Sequence, residues 1–171
     1  RSEGGLDTLP SNVVLLGAGG AGRAILYAVL QRAEVRQVLL LNRTVAKAES
    51  LAADLDSGRT RVTVGSLAED HAEQIRACGL LINSTSAGMF PQAQVSPLAD
   101  GRGLHRDMLV VDIVYKPQRT VLMKQAGKEG ARALNGLGML AQQGARSFAI
   151  WTGQAPPADT MMEAARGFIQ S

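Results

Sequence analysis

The feature that most restricts the fold of this chain is a short apolar run, Val13-Val14-Leu15-Leu16, that ends directly in Gly17-Ala18-Gly19-Gly20-Ala21-Gly22. Four consecutive apolar residues, two of them β-branched, read as a strand buried on both faces, which is the habit of parallel sheets covered by helices. The glycines then demand a tight turn, and Ile25, Val29 and Leu30 follow at helical spacing over about 21–32. The same alternation continues along the chain. Strands are predicted at 37–41, 61–64, 80–83, 108–113 and 132–134, and helices at 46–55, 68–77, 121–128, 137–151 and 159–169. Residues 85–107, with Pro91, Pro97 and several glycines, read as a long loop, a length that in a compact domain usually serves function. Strand–helix alternation implies parallel pairing through right-handed crossovers. The expected architecture is α/β: a doubly wound parallel sheet of about six strands in the order 3-2-1-4-5-6, with extra C-terminal helices and a ligand crevice where the order reverses. Residues 1–171 read as a single domain, with 1–11 as a leader segment.

Gly17-x-Gly19-x-x-Gly22 between a strand and a helix fits the dinucleotide-binding turn of Rossmann domains. Gly17 would permit the turn, Gly19 would let the backbone approach a pyrophosphate, and Gly22 would let helix and strand pack closely. The free N–H groups at the helix N-terminus would face the phosphates. Taken alone, the pattern is also that of an ordinary tight turn. The end of the second predicted strand adds to it. An acidic residue there would bind the ribose 2′-hydroxyl of NAD; instead the chain has Asn42-Arg43-Thr44, with Lys47 one turn later. Arg43 can grip a 2′-phosphate that a carboxylate would repel. Thr44 can donate a further bond or cap the next helix. Surface charge is the plainer reading of Arg43 and Lys47, but their position favours NADP over NAD.

Composition narrows the classes. Hydrophobic residues make up 46% and charged residues 19%, a globular balance rather than a disordered one. Aromatics are only 4%, so the core must be built mainly from aliphatic side chains. The net charge of +3 is dispersed, with no Lys/Arg run to suggest nucleic acid. No apolar stretch approaches the ~20 residues needed to span a bilayer, and no secretory signal is seen, so a cytoplasmic location is expected. The single cysteine, Cys78, excludes an intrachain disulfide and reads as a small core residue. His71 and His105 form no metal-ligand pattern and read as solvent-exposed; no metal is expected. Asp112 closes a strand and reads as a brace for a turn rather than a catalytic acid. Met139 and Leu140, at helical spacing with Gly144 and Phe148, read as packing.

Five motifs in order carry a resemblance: Gly17-Ala18-Gly19-Gly20-Ala21; Asn42-Arg43-Thr44; Asn83-Ser84-Thr85-Ser86-Ala87-Gly88-Met89; Asp112-Ile113-Val114-Tyr115 with Pro117; and Asn135-Gly136-Leu137-Gly138-Met139-Leu140. Gln143 and Phe148 to Gly153 extend it. Together they resemble the shikimate dehydrogenases over nearly the whole chain. The resemblance implies that Gly17, Ala18, Gly19, Gly20 and Ala21 hold the pyrophosphate of NADP(H). Asn42, Arg43, Thr44 and Lys47 would hold the adenosine and its 2′-phosphate. Thr85, Ser86 and Met89 would lie along the nicotinamide end, with Ile113 and Gly136 against the nicotinamide. Tyr115 and Gln143 would touch shikimate; their plainer readings are a core-edge tyrosine and a solvent-facing glutamine.

In that family a separate N-terminal domain binds most of the substrate and supplies a catalytic Lys and Asp pair. The residues before the first strand resemble no such domain, and Asp7 has no matching motif around it, so no catalytic residue is assigned on this chain. The resemblance implies the cofactor-binding half of an enzyme of aromatic amino acid and chorismate biosynthesis, reducing 3-dehydroshikimate to shikimate with NADPH. This half alone would be inactive. Helices over 137–171 would pack against the substrate domain or, exposed, pair with a second copy. Quinate is an alternative substrate, a methylene-tetrahydrofolate-type dehydrogenase an alternative enzyme, and a non-catalytic NADPH-binding module an alternative of another class.

Overall fold

The structure, a computed structural model, describes residues 8–170; the rest of the leader segment, with Asp7, lies outside the described residues. Six strands form one sheet: β1 (Asn12–Leu16), β2 (Gln37–Asn42), β3 (Arg61–Ser66), β4 (Leu80–Asn83), β5 (Leu109–Asp112) and β6 (Arg132–Leu134). All pair in parallel, in the order β3-β2-β1-β4-β5-β6 that the alternation predicts. The helices are α1 (Gly20–Leu30), α2 (Val45–Leu55), α3 (Ala72–Arg76), α4 (Val121–Lys128), α5 (Leu137–Thr152) and α6 (Ala158–Gln170).

The period of two along each strand divides the core. Val13 and Leu15 join Val38, Leu40, Leu80 and Ile82 on the face covered by Leu26, Val29 and Leu30 of α1 and by Ala48 and Leu51 of α2. Val14 and Leu16 join Leu39, Leu41, Leu81 and Val110 on the other face, under Ile75 of α3 and Leu122 and Ala126 of α4. Burial on both faces is why these strands read as unbroken apolar runs. β3 lies at the edge and alternates. The last two helices pack on each other, and α5 leaves Ile150 and Trp151 about 80% exposed.

Several expectations need correction. The helix expected over 68–77 spans only Ala72–Arg76. Asp70 Oδ1 accepts from Ala72 N, the donor that a helix begun at 68 would give to the Ala68 carbonyl, so the stretch before it stays as turns. His71 and His105 are not solvent-exposed. Each ring is partly buried, with Nε2 at 2.9 Å from the Ser66 carbonyl and 3.0 Å from the Cys78 carbonyl. Met139 is exposed rather than packed, while Leu140 and Phe148 are half-buried. Cys78 is a core residue, as expected.

Candidate functional site

At the carboxyl end of β1 the chain turns through Gly17, whose φ of 101° lies in the region open mainly to glycine. The Gly17 N–H donates to the Leu41 carbonyl at 2.8 Å, fixing the turn on β2. Helix α1 then starts at Gly20 with no side-chain cap and no acidic residue in its first turn. No side chain caps its N-terminal N–H groups, and Gly19, Gly20 and Ala21 are exposed there. A Cβ at Gly19 would meet no protein atom within 4 Å, so nothing inside the protein demands glycine there. At Gly22 the demand is internal: a Cβ would lie 2.3 Å from the Gly17 carbonyl oxygen.

Asn42 joins the glycine turn to the β2–α2 connection. Its Oδ1 accepts from Ala18 N at 3.1 Å and its Nδ2 donates to the Thr44 carbonyl at 2.8 Å. Thr44 stands at the N-cap position of α2, but its hydroxyl makes no cap bond and stays exposed. Arg43 and Lys47 are exposed as well.

These residues line a cleft of ≈ 420 Å³. Its walls include Gly17, Ala18, Gly19, Asn42, Arg43, Thr44 and Lys47 on one side and Ser84, Thr85 and Ser86 on the other. The lining contains two cations and no carboxylate. That charge balance, the uncapped helix and the open space over Gly19 suit a phosphorylated dinucleotide. A larger groove of ≈ 720 Å³, lined by Arg36, Arg59 and Arg61, opens where β2 and β3 begin. Ligands of doubly wound sheets bind at the other end of the strands.

Beneath the cleft runs a buried polar chain. Ser84 Oγ donates to the Leu16 carbonyl at 2.7 Å, tying β4 to the glycine turn. Asn83 Oδ1 accepts from Thr85 N and from Thr85 Oγ1, while Asn83 Nδ2 donates to Asp112 Oδ1 at 2.9 Å. Asp112 also accepts from Val114 N and, at 2.6 Å, from Thr120 Oγ1, which caps α4 by accepting from Met123 N. Burial pushes the Asp112 carboxyl above its ordinary pKa, and its three hydrogen bonds oppose that shift. Asp112 is thus a brace between strands, holding Asn83 so that Thr85 is presented to the cleft.

The remaining expected residues lie outside the cleft lining. Met89 is exposed, Ile113 and Tyr115 are half-buried just past β5, and Gln143 is exposed on α5. Gly136 is tied to Ile113: a Cβ at 136 would lie 1.8 Å from the Ile113 carbonyl oxygen, so only glycine lets α5 begin there. Sequence reasoning gave no role to Ser84, Leu67, Gln92, Val95 or Pro97, all on the cleft wall. Ser84 stood within a recognised motif, but its partner carbonyls are 67 and 68 residues away in the chain.

Comparison with known proteins agrees with this geometry. Residues 4–135 match the sequence profile of the family described as shikimate / quinate 5-dehydrogenase, and residues 136–166 match that of the shikimate 5′-dehydrogenase C-terminal domain. The chain belongs to the shikimate/quinate dehydrogenase family. A shikimate dehydrogenase (NADP(+)) of Methanocella arvoryzae is 40% identical over 164 residues, covering 96% of this chain and 59% of that protein. A crystal structure of a shikimate dehydrogenase in complex with NADP+ superposes with a TM-score of 0.83 at 36% identity, covering 95% of this chain and 56% of the other. The quinate dehydrogenase of Corynebacterium glutamicum in complex with NAD gives 0.81 at 30% identity, with coverages of 92% and 55%. The chain therefore spans a little over half the length of the relatives it matches. Membership in this family replaces the methylene-tetrahydrofolate alternative. Among the described residues no helix is long and apolar enough to cross a membrane, and no group of three His, Cys, Asp or Glu is placed to hold a metal ion.

Proposed function

We propose that this chain is the NADP-binding domain of a shikimate dehydrogenase, serving the reversible NADPH-dependent reduction of 3-dehydroshikimate to shikimate in the cytoplasm. The observation that carries the cofactor assignment is the carboxylate-free cleft in which Arg43 and Lys47 stand exposed beside the uncapped start of α1. The turn from Gly17 through Ala18 to Ala21 cradles the pyrophosphate, with the backbone N–H groups of Gly19, Gly20 and Ala21 as donors, because those of Gly17 and Ala18 are held by the Leu41 carbonyl and Asn42 Oδ1. Asn42, Arg43, Thr44 and Lys47 bind the 2′-phosphate end, with Asn42 locking the two loops in register. Thr85, Ser86 and Met89 orient the nicotinamide portion, and Ile113 and Gly136 form the surface against it. When bound, the nicotinamide supplies the hydride. Tyr115 and Gln143 hydrogen-bond the substrate from the β5 end and from α5. No acid–base residue is assigned on this chain; that proton belongs to the substrate domain that the longer relatives have room for. Residues 137–171 pack against that domain, which would cover Ile150 and Trp151, or in its absence pair with a second copy.

Arg43→Ala tests the cofactor assignment. Each charge-assisted bond lost costs roughly 1.5–3 kcal/mol, so NADPH should bind about ten- to a hundredfold more weakly while NADH changes little. Equal losses on fluorescence titration would contradict it. NADP-linked oxidation of shikimate and of quinate by the longest natural form tests the substrate; turnover by the 171-residue chain alone would contradict the division of labour.

A further inference from the structure

Beside the cleft, between α1 and α2, lies a second recess of ≈ 460 Å³. It shares Ala18, Gly19 and Lys47 with the cleft and adds Arg23 and Asp54. Arg23 Nη1 donates to Asp54 Oδ2 at 2.9 Å, with both side chains about half exposed. Two facts make this pair odd as a stabilising device. An exposed ion pair contributes little to folding. Moreover, Arg23 sits in the first turns of α1, where the helix dipole disfavours a cation, and neither α1 nor α2 has an acidic residue in its first turn. Arg23, Lys47 and two helix N-termini therefore concentrate positive potential around one small recess, with Asp54 as the carboxylate in its lining. A guanidinium has five N–H donors, so the Asp54 contact leaves others to face the recess.

We propose that Arg23 is a specificity-determining residue for the 2′-phosphate, approaching it from the α1 side while Arg43 and Lys47 approach from the α2 side. Asp54 is a positioning residue that holds the guanidinium extended over the recess. The inference rests on the NADP reading above. It is tested by calorimetric titration of the 171-residue chain with 2′,5′-ADP, which carries both phosphates, and with 5′-AMP, which lacks the 2′-phosphate. Arg23→Gln should weaken 2′,5′-ADP about tenfold, the equivalent of one charge-assisted bond, and leave 5′-AMP within about twofold. Arg23→Lys, which keeps the charge, should recover most of the loss and guards against a folding artefact. An equal loss on both ligands overturns the proposal, because Arg23 would then serve the 5′-phosphate or the fold. No loss with Arg23→Gln while Arg43→Ala still discriminates overturns it too, and leaves the NADP reading standing. If neither variant discriminates, both fall.

Discussion

A methyl group placed at Gly22 would lie 2.3 Å from the Gly17 carbonyl oxygen and 2.9 Å from Ser84 Oγ. Ordinary van der Waals contact begins at 3.4 Å, so in Gly22→Ala the start of α1 must retreat from the glycine turn by about 1 Å. Overpacking of this kind costs roughly 1–3 kcal/mol. Alanine recovers roughly 0.8–1.0 kcal/mol in a helix relative to glycine. The net loss of stability is then about 0–2 kcal/mol, a fall in Tm of only a few degrees for a domain of this size. Binding should suffer far more. The N–H groups that would hold the pyrophosphate move with the helix, and losing two charge-assisted bonds at roughly 1.5–3 kcal/mol each weakens the dinucleotide about a hundredfold or more. Because the pyrophosphate is common to both cofactors, NADPH and NADH should weaken alike, the opposite signature to Arg43→Ala. Fluorescence titration with each cofactor, beside a thermal melt, reads both effects. A variant that binds NADPH within about threefold of the parent would refute the claim that Gly22 sets the phosphate geometry.

Asn42→Asp keeps the acceptor for Ala18 N, but it cannot donate to the Thr44 carbonyl and adds a charge beside the 2′-phosphate position; the ratio of NADPH to NADH affinity should fall by about tenfold or more, measured by paired titrations. Asp112 is raised above its ordinary value by burial, so it contributes stability that is present below the unfolded-state pKa of about 3.9 and lost as pH rises through the folded-state value. Asp112→Asn should remove that decline, at a cost of about 1 kcal/mol for the bond from Thr120, so urea melts across acid pH should show the parent's advantage shrinking as pH rises; a constant difference would contradict it. Cys78 is buried, its Sγ donates to the Gln74 carbonyl, and burial pushes its pKa up to about 11. Iodoacetamide near pH 8 should therefore modify the folded chain far more slowly than the urea-unfolded chain, as intact mass will show.

The sequence by itself determined the sheet, because strands buried on both faces must be apolar throughout and the glycine turn admits few connections. It also singled out Gly17 to Gly22 and Asn42 to Lys47, local segments legible within a few residues, which the fold brings to one cleft. It misjudged features decided by partners distant in sequence or by local competition for backbone donors. Asp70 shortened α3 by taking the Ala72 N–H. His71 and His105 looked exposed until backbone carbonyls at Ser66 and Cys78 took their rings. Only the tertiary structure showed why Ser84, Asn83, Asp112 and Thr120 belong together: Asn83, Asp112 and Thr120 form a hydrogen-bonded chain from β4 through β5 to α4, and the adjacent Ser84 ties the end of β4 to β1. The reason for Gly136 is likewise tertiary, for it lies against the Ile113 carbonyl. The recess that sets Arg23 against Asp54 depends on how α1 and α2 pack side by side on the sheet, and no period or motif along the chain records that.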